Sequence, residues 1–216
     1  MNRLDDLISS KIYFYGKGKK NCDLFFNKLT EIPNEDRFKK SKRMEINKNE
    51  NGVTYDSPYE KKILKDFDKC GFIKKIKTQS LIINYTPNIK IRKYYPDIQL
   101  LLNDGSIVIV EVKPFKEMVN KHNIMKHKAL ERYCKKNKFG IAIIDYDYYS
   151  FEDLKRERVS FFTKKKFVNF VKSKKEVTFD DCKIFKKENN ITDYQICYII
   201  LNSKNLIYQQ HIIKYI

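Results

Sequence analysis

The chain has 216 residues with 42% hydrophobic side chains, which excludes a disordered tail and suits one globular domain with an appendage. Lys and Arg number 45 against 27 Asp and Glu, a formal charge of +18. Part of that excess reflects a Lys-, Asn- and Ile-rich composition, and the rest points to a polyanionic partner, nucleic acid before a membrane surface. The five cysteines form no C-x-x-C pair, which argues against a zinc site or disulfide framework and fits a reducing cytosol.

Residues 1–52 read as a basic N-terminal appendage and polar linker ending near Gly52. MNRLDDLISS lacks the apolar stretch of a secretory signal, and no apolar run approaches the roughly 20 residues of a membrane span. Gly16-Lys17-Gly18-Lys19-Lys20 lacks the spacing of a phosphate-binding loop. Ser57-Pro58-Tyr59-Glu60 opens a helix: Ser57 can cap it, Pro58 suits its first turn, and Glu60 falls where a capping box wants an acid. Tyr59, Ile63, Phe67 and Cys70 follow at helical spacing, and Gly71 stops the helix.

Short strands are expected over 74–79, 81–85 and 90–94, then a hairpin over 95–102 and 106–112. Pro114 ends the hairpin. A helix over 116–136 would place Met118, His122, Met125, Ala129 and Tyr133 on one face; a lone histidine there is ordinarily a core or boundary group. Phe139–Asp145 is a buried strand. Strand, helix, strand makes a crossover with two parallel neighbours. The expected class is therefore α/β, a mixed central sheet flanked by helices over residues 53–150. Tyr146, Tyr148 and Tyr149 read as cover for the sheet end. Residues 151–216 read as a helical, Lys-rich region with Asn-rich turns.

The hairpin YYPDIQLLLNDGSIVIVEVKP carries the chemistry. A two-residue loop at Asp104-Gly105 would set Asp97 opposite Val112. A three-residue loop with Gly105 left-handed pairs Leu102 with Ser106 and sets Asp97 opposite Glu111. The second register is favoured, because it places Asp97, Glu111 and Lys113 on one face and Ile98, Leu100, Leu102, Val108, Val110 and Val112 on the other. Two carboxylates facing each other across a ladder lie about 5 Å apart, and at an effective dielectric of 20 they repel by roughly 3 kcal/mol. Lys113 offsets part of that cost, and a divalent cation would offset more. Oxygen ligands from Asp97, Glu111 and the Val112 carbonyl suit Mg²⁺, with Mn²⁺ as a substitute. Such a site would hydrolyse a phosphodiester, with Lys113 orienting or deprotonating the water or stabilising phosphorane charge. Taken singly, Asp97 reads as a turn residue and Glu111–Lys113 as a solvated edge pair; their coincidence at the end of a buried aliphatic strand favours a site.

These residues resemble the motif of the PD-(D/E)xK nuclease superfamily. Ser57-Pro58-Tyr59-Glu60, Thr78-Gln79-Ser80, Tyr94-Tyr95-Pro96-Asp97 and Val110-Glu111-Val112-Lys113-Pro114 are similar to the N-terminal domain of TnsA, the endonuclease subunit of heteromeric transposases, over roughly residues 54–146. The resemblance implies a restriction-endonuclease-like core. It implies catalytic roles for Glu60, Asp97 and Lys113, with Glu60 a further metal-ligand candidate, and a bacterial or mobile-element origin. It also implies DNA as substrate, a DDE transposase as partner, and a regulatory ATPase beside them; a homodimer is a further option. Where the family tends to have Gln-Pro, this chain has Gln79-Ser80, and beyond residue 150 the sequence shows no match to the family's winged-helix domain.

Glu60 keeps two readings, cap and catalyst. Gln79 could support the site from a neighbouring strand. Lys116 and Lys126 beside the hairpin, and Lys164, Lys165 and Lys166 with Lys172, Lys174 and Lys175 further on, are expected to meet phosphates. The leading expectation is a metal-dependent DNA endonuclease that frees transposon ends. The alternatives are a stand-alone restriction, repair or phage-defence nuclease of the same fold, and a basic nucleic-acid-binding module without catalysis.

Overall fold

The computed structural model describes residues 3–15, 22–29, 41–87 and 89–216; the glycine- and lysine-rich stretch 16–20 lies outside them. The chain divides into two compact units, residues 1–113 with 126–148, and residues 114–125 with 149–216.

The first unit begins with α1 (Arg3–Ser9), β1 (Tyr13–Phe14) and α2 (Cys22–Lys28), then a hairpin of β2 (Lys42–Ile46) and β3 (Asn49–Tyr55). It continues with α3 (Pro58–Lys69), β4 (Ile73–Thr78), β5 (Ile83–Tyr85), β6 (Arg92–Tyr94), β7 (Ile98–Leu102) and β8 (Ile107–Val112). A short α4 (Phe115–Met118) precedes α5 (Lys121–Asn137), through which the division between units runs, and β9 (Gly140–Ile144) returns to the sheet. The five-stranded sheet has the order β1-β9-β8-β7-β4. β8 and β9 pair in parallel and the other neighbours antiparallel. This is the mixed α/β sheet expected of a restriction-endonuclease-like core.

The hairpin at its centre adopts the three-residue loop. Ile98 faces Val110 and Leu101 faces Ile107; the Leu102 N–H donates to Ser106 O at 2.8 Å, and the Gly105 N–H to Leu102 O at 3.0 Å. Gly105 sits at φ +81°, which only glycine adopts without cost. Ile98, Leu100, Leu102, Val108, Val110 and Val112 all point into one core with Ile63, Leu64 and Phe67 of α3. Leu101, Ile107 and Ile109 share the face of Asp97 and Glu111 and are also buried, so the charged face is confined to the strand end.

Three expectations change in this unit. The described parts of residues 1–52 are not an appendage: Ile8 enters the core and Leu4, Ile12, Met44 and Ile46 pack against it, Asp5 Oδ1 accepts from the Gly71 N–H at 3.1 Å, and Lys77 Nζ donates to Phe26 O at 2.8 Å. Gly52 marks a bulge within β3 rather than a linker end; at φ +66° its missing Cβ would meet Met44 O at 2.7 Å. The helix expected over 116–136 breaks at Val119–Asn120, because the Asn120 side chain turns to accept from the His122 N–H at 3.0 Å and caps α5. The buried face of α5 consequently runs through Asn123, His127, Leu130 and Cys134, with His122 and Met125 only partly covered.

The second unit adds α6 (Phe151–Arg156), α7 (Phe161–Lys174), β10 (Glu176–Val177), α8 (Lys183–Asn189), α9 (Asp193–Leu201), β11 (Leu206–Gln209) and β12 (Ile212–Tyr215). It is not purely helical, as the sequence suggested. Its three strands form a sheet of order β10-β12-β11. α8 ends at a left-handed Asn190, and Thr192 caps α9 with a reciprocal capping box to Gln195, leaving the tight turn of a helix-turn-helix. Helix, strand, helix-turn-helix and hairpin, in that order, is the connectivity of a winged helix, although the sequence carried no signal of one.

Candidate active site

α3, β6, β7 and β8 converge on one strand end of the first unit. Because the hairpin loop fixes the register, Asp97 and Glu111 fall opposite each other, and Lys113 lies two residues beyond Glu111 on the same face. Lys113 Nζ lies 2.9 Å from Glu111 Oε1 and 3.6 Å from Asp97 Oδ2. It also donates to Val112 O at 3.1 Å. The structure thus gathers Asp97, Glu111, Lys113 and the Val112 carbonyl around one positive charge.

Buried donors hold the acids in place. Asp97 Oδ2 accepts from the Val112 N–H at 2.8 Å. Glu111 Oε2 accepts from the Tyr94 hydroxyl at 2.6 Å. Behind them the Gln99 side chain, fully buried, accepts from Ser80 Oγ at 2.6 Å and donates to Pro96 O at 3.0 Å, pinning the Pro96–Asp97 peptide. The Gln79 N–H donates to Asp97 O at 3.1 Å. Gln79 itself is buried with φ +48°, a left-handed conformation of the kind that clusters at functional sites.

The electrostatics follow from burial. Desolvation pushes the Asp97 carboxyl well above the usual carboxylate range, and the Glu111 charge pushes the same way. Burial would raise Glu111 too, but the Lys113 ammonium and the Tyr94 hydrogen bond more than reverse it and hold it below its ordinary value. Burial works against the Lys113 charge; Asp97 and Glu111 outweigh it and raise that amine. Among the described residues no three His, Cys, Asp or Glu side chains gather as a metal cluster. The donors available are two carboxylates and a carbonyl. That set fits Mg²⁺, which is usually held by one or two carboxylates and keeps several waters.

Glu60 reaches the site through its field. Its Oε1 accepts from Ser57 Oγ at 2.8 Å and its Oε2 from the Asp56 N–H at 2.9 Å. Both oxygens are therefore engaged at the helix start, and Glu60 does not join the pair as a third ligand. It is nevertheless buried and raised in pKa mainly by that burial, and its charge raises both Asp97 and Lys113. The sequence had placed Tyr59 on the inward face of α3. The helix instead turns Glu60, Ile63, Leu64 and Phe67 inward and leaves Tyr59 41% exposed.

The expected phosphate-binding lysines are dispersed. Lys126 lies 5.7 Å from the Tyr94 ring centre. Lys116 is taken up in the second unit, 3.4 Å from Asp193 and 4.5 Å from the Phe179 ring centre. On α7, Lys165 and Lys166 are exposed and Lys164 lies over Tyr198 at 5.1 Å. Sequence reasoning missed Tyr94, Gln99 and His127, which is buried and acts electrostatically on Glu111. The Tyr-Tyr-Pro-Asp string holds Tyr94 in plain view; nothing local marks the other two.

A mixed sheet whose central hairpin brings two facing carboxylates and a lysine to one strand end is the architecture of a restriction-endonuclease-like nuclease. Residues 72–145 match the family model described as the TnsA-like endonuclease N-terminal domain. The match contains Asp97, Glu111 and Lys113 but begins after α3, so Glu60 lies outside it. No curated protein matches the chain. No helix among the described residues is long and apolar enough to cross a membrane.

Proposed function

We propose that the chain is a Mg²⁺-dependent DNA endonuclease that cuts transposon ends alongside a DDE transposase. The observation that carries this reading is Asp97 opposite Glu111 with Lys113 Nζ within 3.6 Å of both. Asp97, Glu111 and the Val112 carbonyl would hold the cation. When bound, it supplies Lewis-acid charge on the scissile phosphate and lowers the pKa of water at neutral pH. Tyr94 and the Val112 N–H keep the two carboxylates aimed at the strand end. Lys113 supplies a fixed positive charge for the non-bridging phosphate oxygens as charge builds on them, and the Glu60 field adds to the negative potential that draws a cation there. Two open clefts of about 550 and 300 Å³ run along the β2–β3 hairpin and contain none of these residues.

The test is a nicking assay on transposon-end DNA with Mg²⁺ or Mn²⁺, with and without EDTA, in the presence and absence of a DDE transposase. Cutting that needs the metal, the transposase and Lys113 supports the reading. Cutting by the purified chain alone would replace the transposition role with a stand-alone nuclease. If Lys113→Ala retains DNA affinity and biological activity, the chain is a binding module and the catalytic reading fails.

A further inference from the structure

One residue from Glu60 and two from Ile144 stand the members of an aromatic pair that the nuclease chemistry does not use. Tyr59 and Tyr146 stack with ring centres 5.1 Å apart and planes at 28°, yet they remain 41% and 42% exposed. Exposed rings are usually mobile; these are fastened. Tyr59 sits in the first turn of α3, between Ser57 and Glu60, whose side chains close the helix cap. The Tyr146 carbonyl accepts from Lys62 Nζ at 2.6 Å. Lys62 pairs with Asp66 at 3.3 Å, and Asp66 accepts from the buried Tyr148 hydroxyl at 2.9 Å. Tyr148 itself sits at φ +66°, a strained backbone conformation for a non-glycine residue.

Both rings are also tied to the acid pair. Tyr59 immediately precedes Glu60, whose charge acts on Asp97 and Lys113. Tyr146 lies two residues past Ile144, whose carbonyl accepts the Lys113 N–H at 2.9 Å. A rigid, half-bare aromatic surface beside a phosphate-binding charge is the combination by which proteins hold unpaired nucleotides, since every base has a face to stack.

We propose that Tyr59 and Tyr146 form a stacking platform for an unstacked base next to the phosphate that Lys113 meets. A base within continuous duplex already has both faces covered. The platform therefore selects DNA that is mismatched, gapped or distorted at the point of cleavage. This rests on the nuclease reading, and two separate readouts keep the two apart.

The first readout is binding by the full chain to oligonucleotides carrying 2-aminopurine beside the cut site, in Ca²⁺ so that no cleavage is required. Quenching of the probe in gapped or mismatched DNA, lost in Tyr59→Ala/Tyr146→Ala and kept in Tyr59→Phe/Tyr146→Phe, supports the platform. Affinity of the Ala pair for gapped DNA should fall by about 5- to 150-fold, the range of one lost base stack, with little change for intact duplex. The second readout is cleavage, in which the Ala pair should erase the preference for gapped DNA while the Phe pair restores it. Quenching that is equal in the Ala pair and in the wild type overturns the platform, as does a wild-type preference for intact duplex. Wild-type cleavage without Tyr dependence sinks the platform alone; Tyr-dependent quenching without cleavage under any condition sinks the nuclease reading alone.

Discussion

The two units treat charge in opposite ways. The first buries Glu60, Asp97 and Glu111 at one strand end and stabilises them with Lys113 and a tyrosine hydroxyl. The second leaves its acids at least partly exposed; Asp193 lies 2.6 Å from Lys186 and 3.4 Å from Lys116. Its α7 has five lysines and no acid. Surface lysines cost little and, taken alone, say little. Facing buried carboxylates cost about 3 kcal/mol in repulsion, which makes them the chain's functional-site candidates. The informative charge in a +18 chain is the small buried cluster rather than the surplus.

The strongest way to break that contrast is to separate stability from activity at the acid pair. Asp97→Asn and Lys113→Ala should each lower cleavage by roughly a hundred- to a thousandfold, the scale of losing one well-placed electrostatic group. Their stabilities should move in opposite directions. An ionised Asp97 is disfavoured in the folded state, because its folded pKa lies above its unfolded value. The wild type therefore loses stability as pH rises from the ordinary carboxylate value through the raised one, whereas Asp97→Asn is spared that loss. At neutral pH the Asn variant should melt higher by about 5 °C, from roughly 2 kcal/mol of relieved desolvation and repulsion net of the lost Lys113 attraction, and Lys113→Ala should melt lower. Mg²⁺ should raise the melting temperature of the wild type and leave the Asn variant nearly unmoved. Thermal melts at several pH values check all three. A lower-melting Asn variant would mean that the pair is not under electrostatic strain.

In the second unit, Lys164→Gln/Lys165→Gln/Lys166→Gln should weaken DNA binding without touching the melting temperature. The slope of log affinity against log salt should fall by about 3, one per lost phosphate contact. An unchanged slope would remove α7 from the DNA surface.

A smaller effect tests how the first unit holds its acids. Tyr94→Phe removes the 2.6 Å bond to Glu111 and should cost about 1–2 kcal/mol for leaving a buried carboxylate short of a donor. Losing that donor raises the Glu111 pKa, since the bond is one of the groups holding it down. The acid limb of the cleavage profile, set by the higher Asp97 carboxyl, should stay in place while the melting temperature falls.

How far the sequence foretold these features depended on how local their causes are. The Asp97–Glu111 register was legible, because it needs only the length of Asn103-Asp104-Gly105 and the alternation of six aliphatics. The Ser57 cap was legible for the same reason. Tyr94, Gln99 and His127 act across the fold, and no spacing announces them. The β11–β12 hairpin was hidden by its turn: Gln210 and His211 both take positive φ, where Asn-Gly would have signalled a two-residue loop. The wing of the second unit was consequently read as helix. On α3 the error was one residue of rotation. Tyr59 is more apolar than Glu60, yet the acid is the inward residue, which runs against hydrophobic patterning.

That rotation frames the last and smallest test. Ser57 Oγ accepts from the Glu60 N–H at 3.2 Å and donates to Glu60 Oε1 at 2.8 Å, so cap and site share one carboxylate. Ser57→Ala should cost about 1 kcal/mol, as lost N-caps do, and Glu60→Gln, which keeps an acceptor for Ser57, should cost less. If Glu60 only caps, cleavage at a temperature well below both melts should survive in each. If its charge serves the site, Glu60→Gln should cut more slowly while staying folded, and Ser57→Ala should cut at nearly the wild-type rate despite being the less stable of the two. The ordering of the two variants by melting temperature and by rate is then inverted, an outcome that a purely structural Glu60 cannot produce.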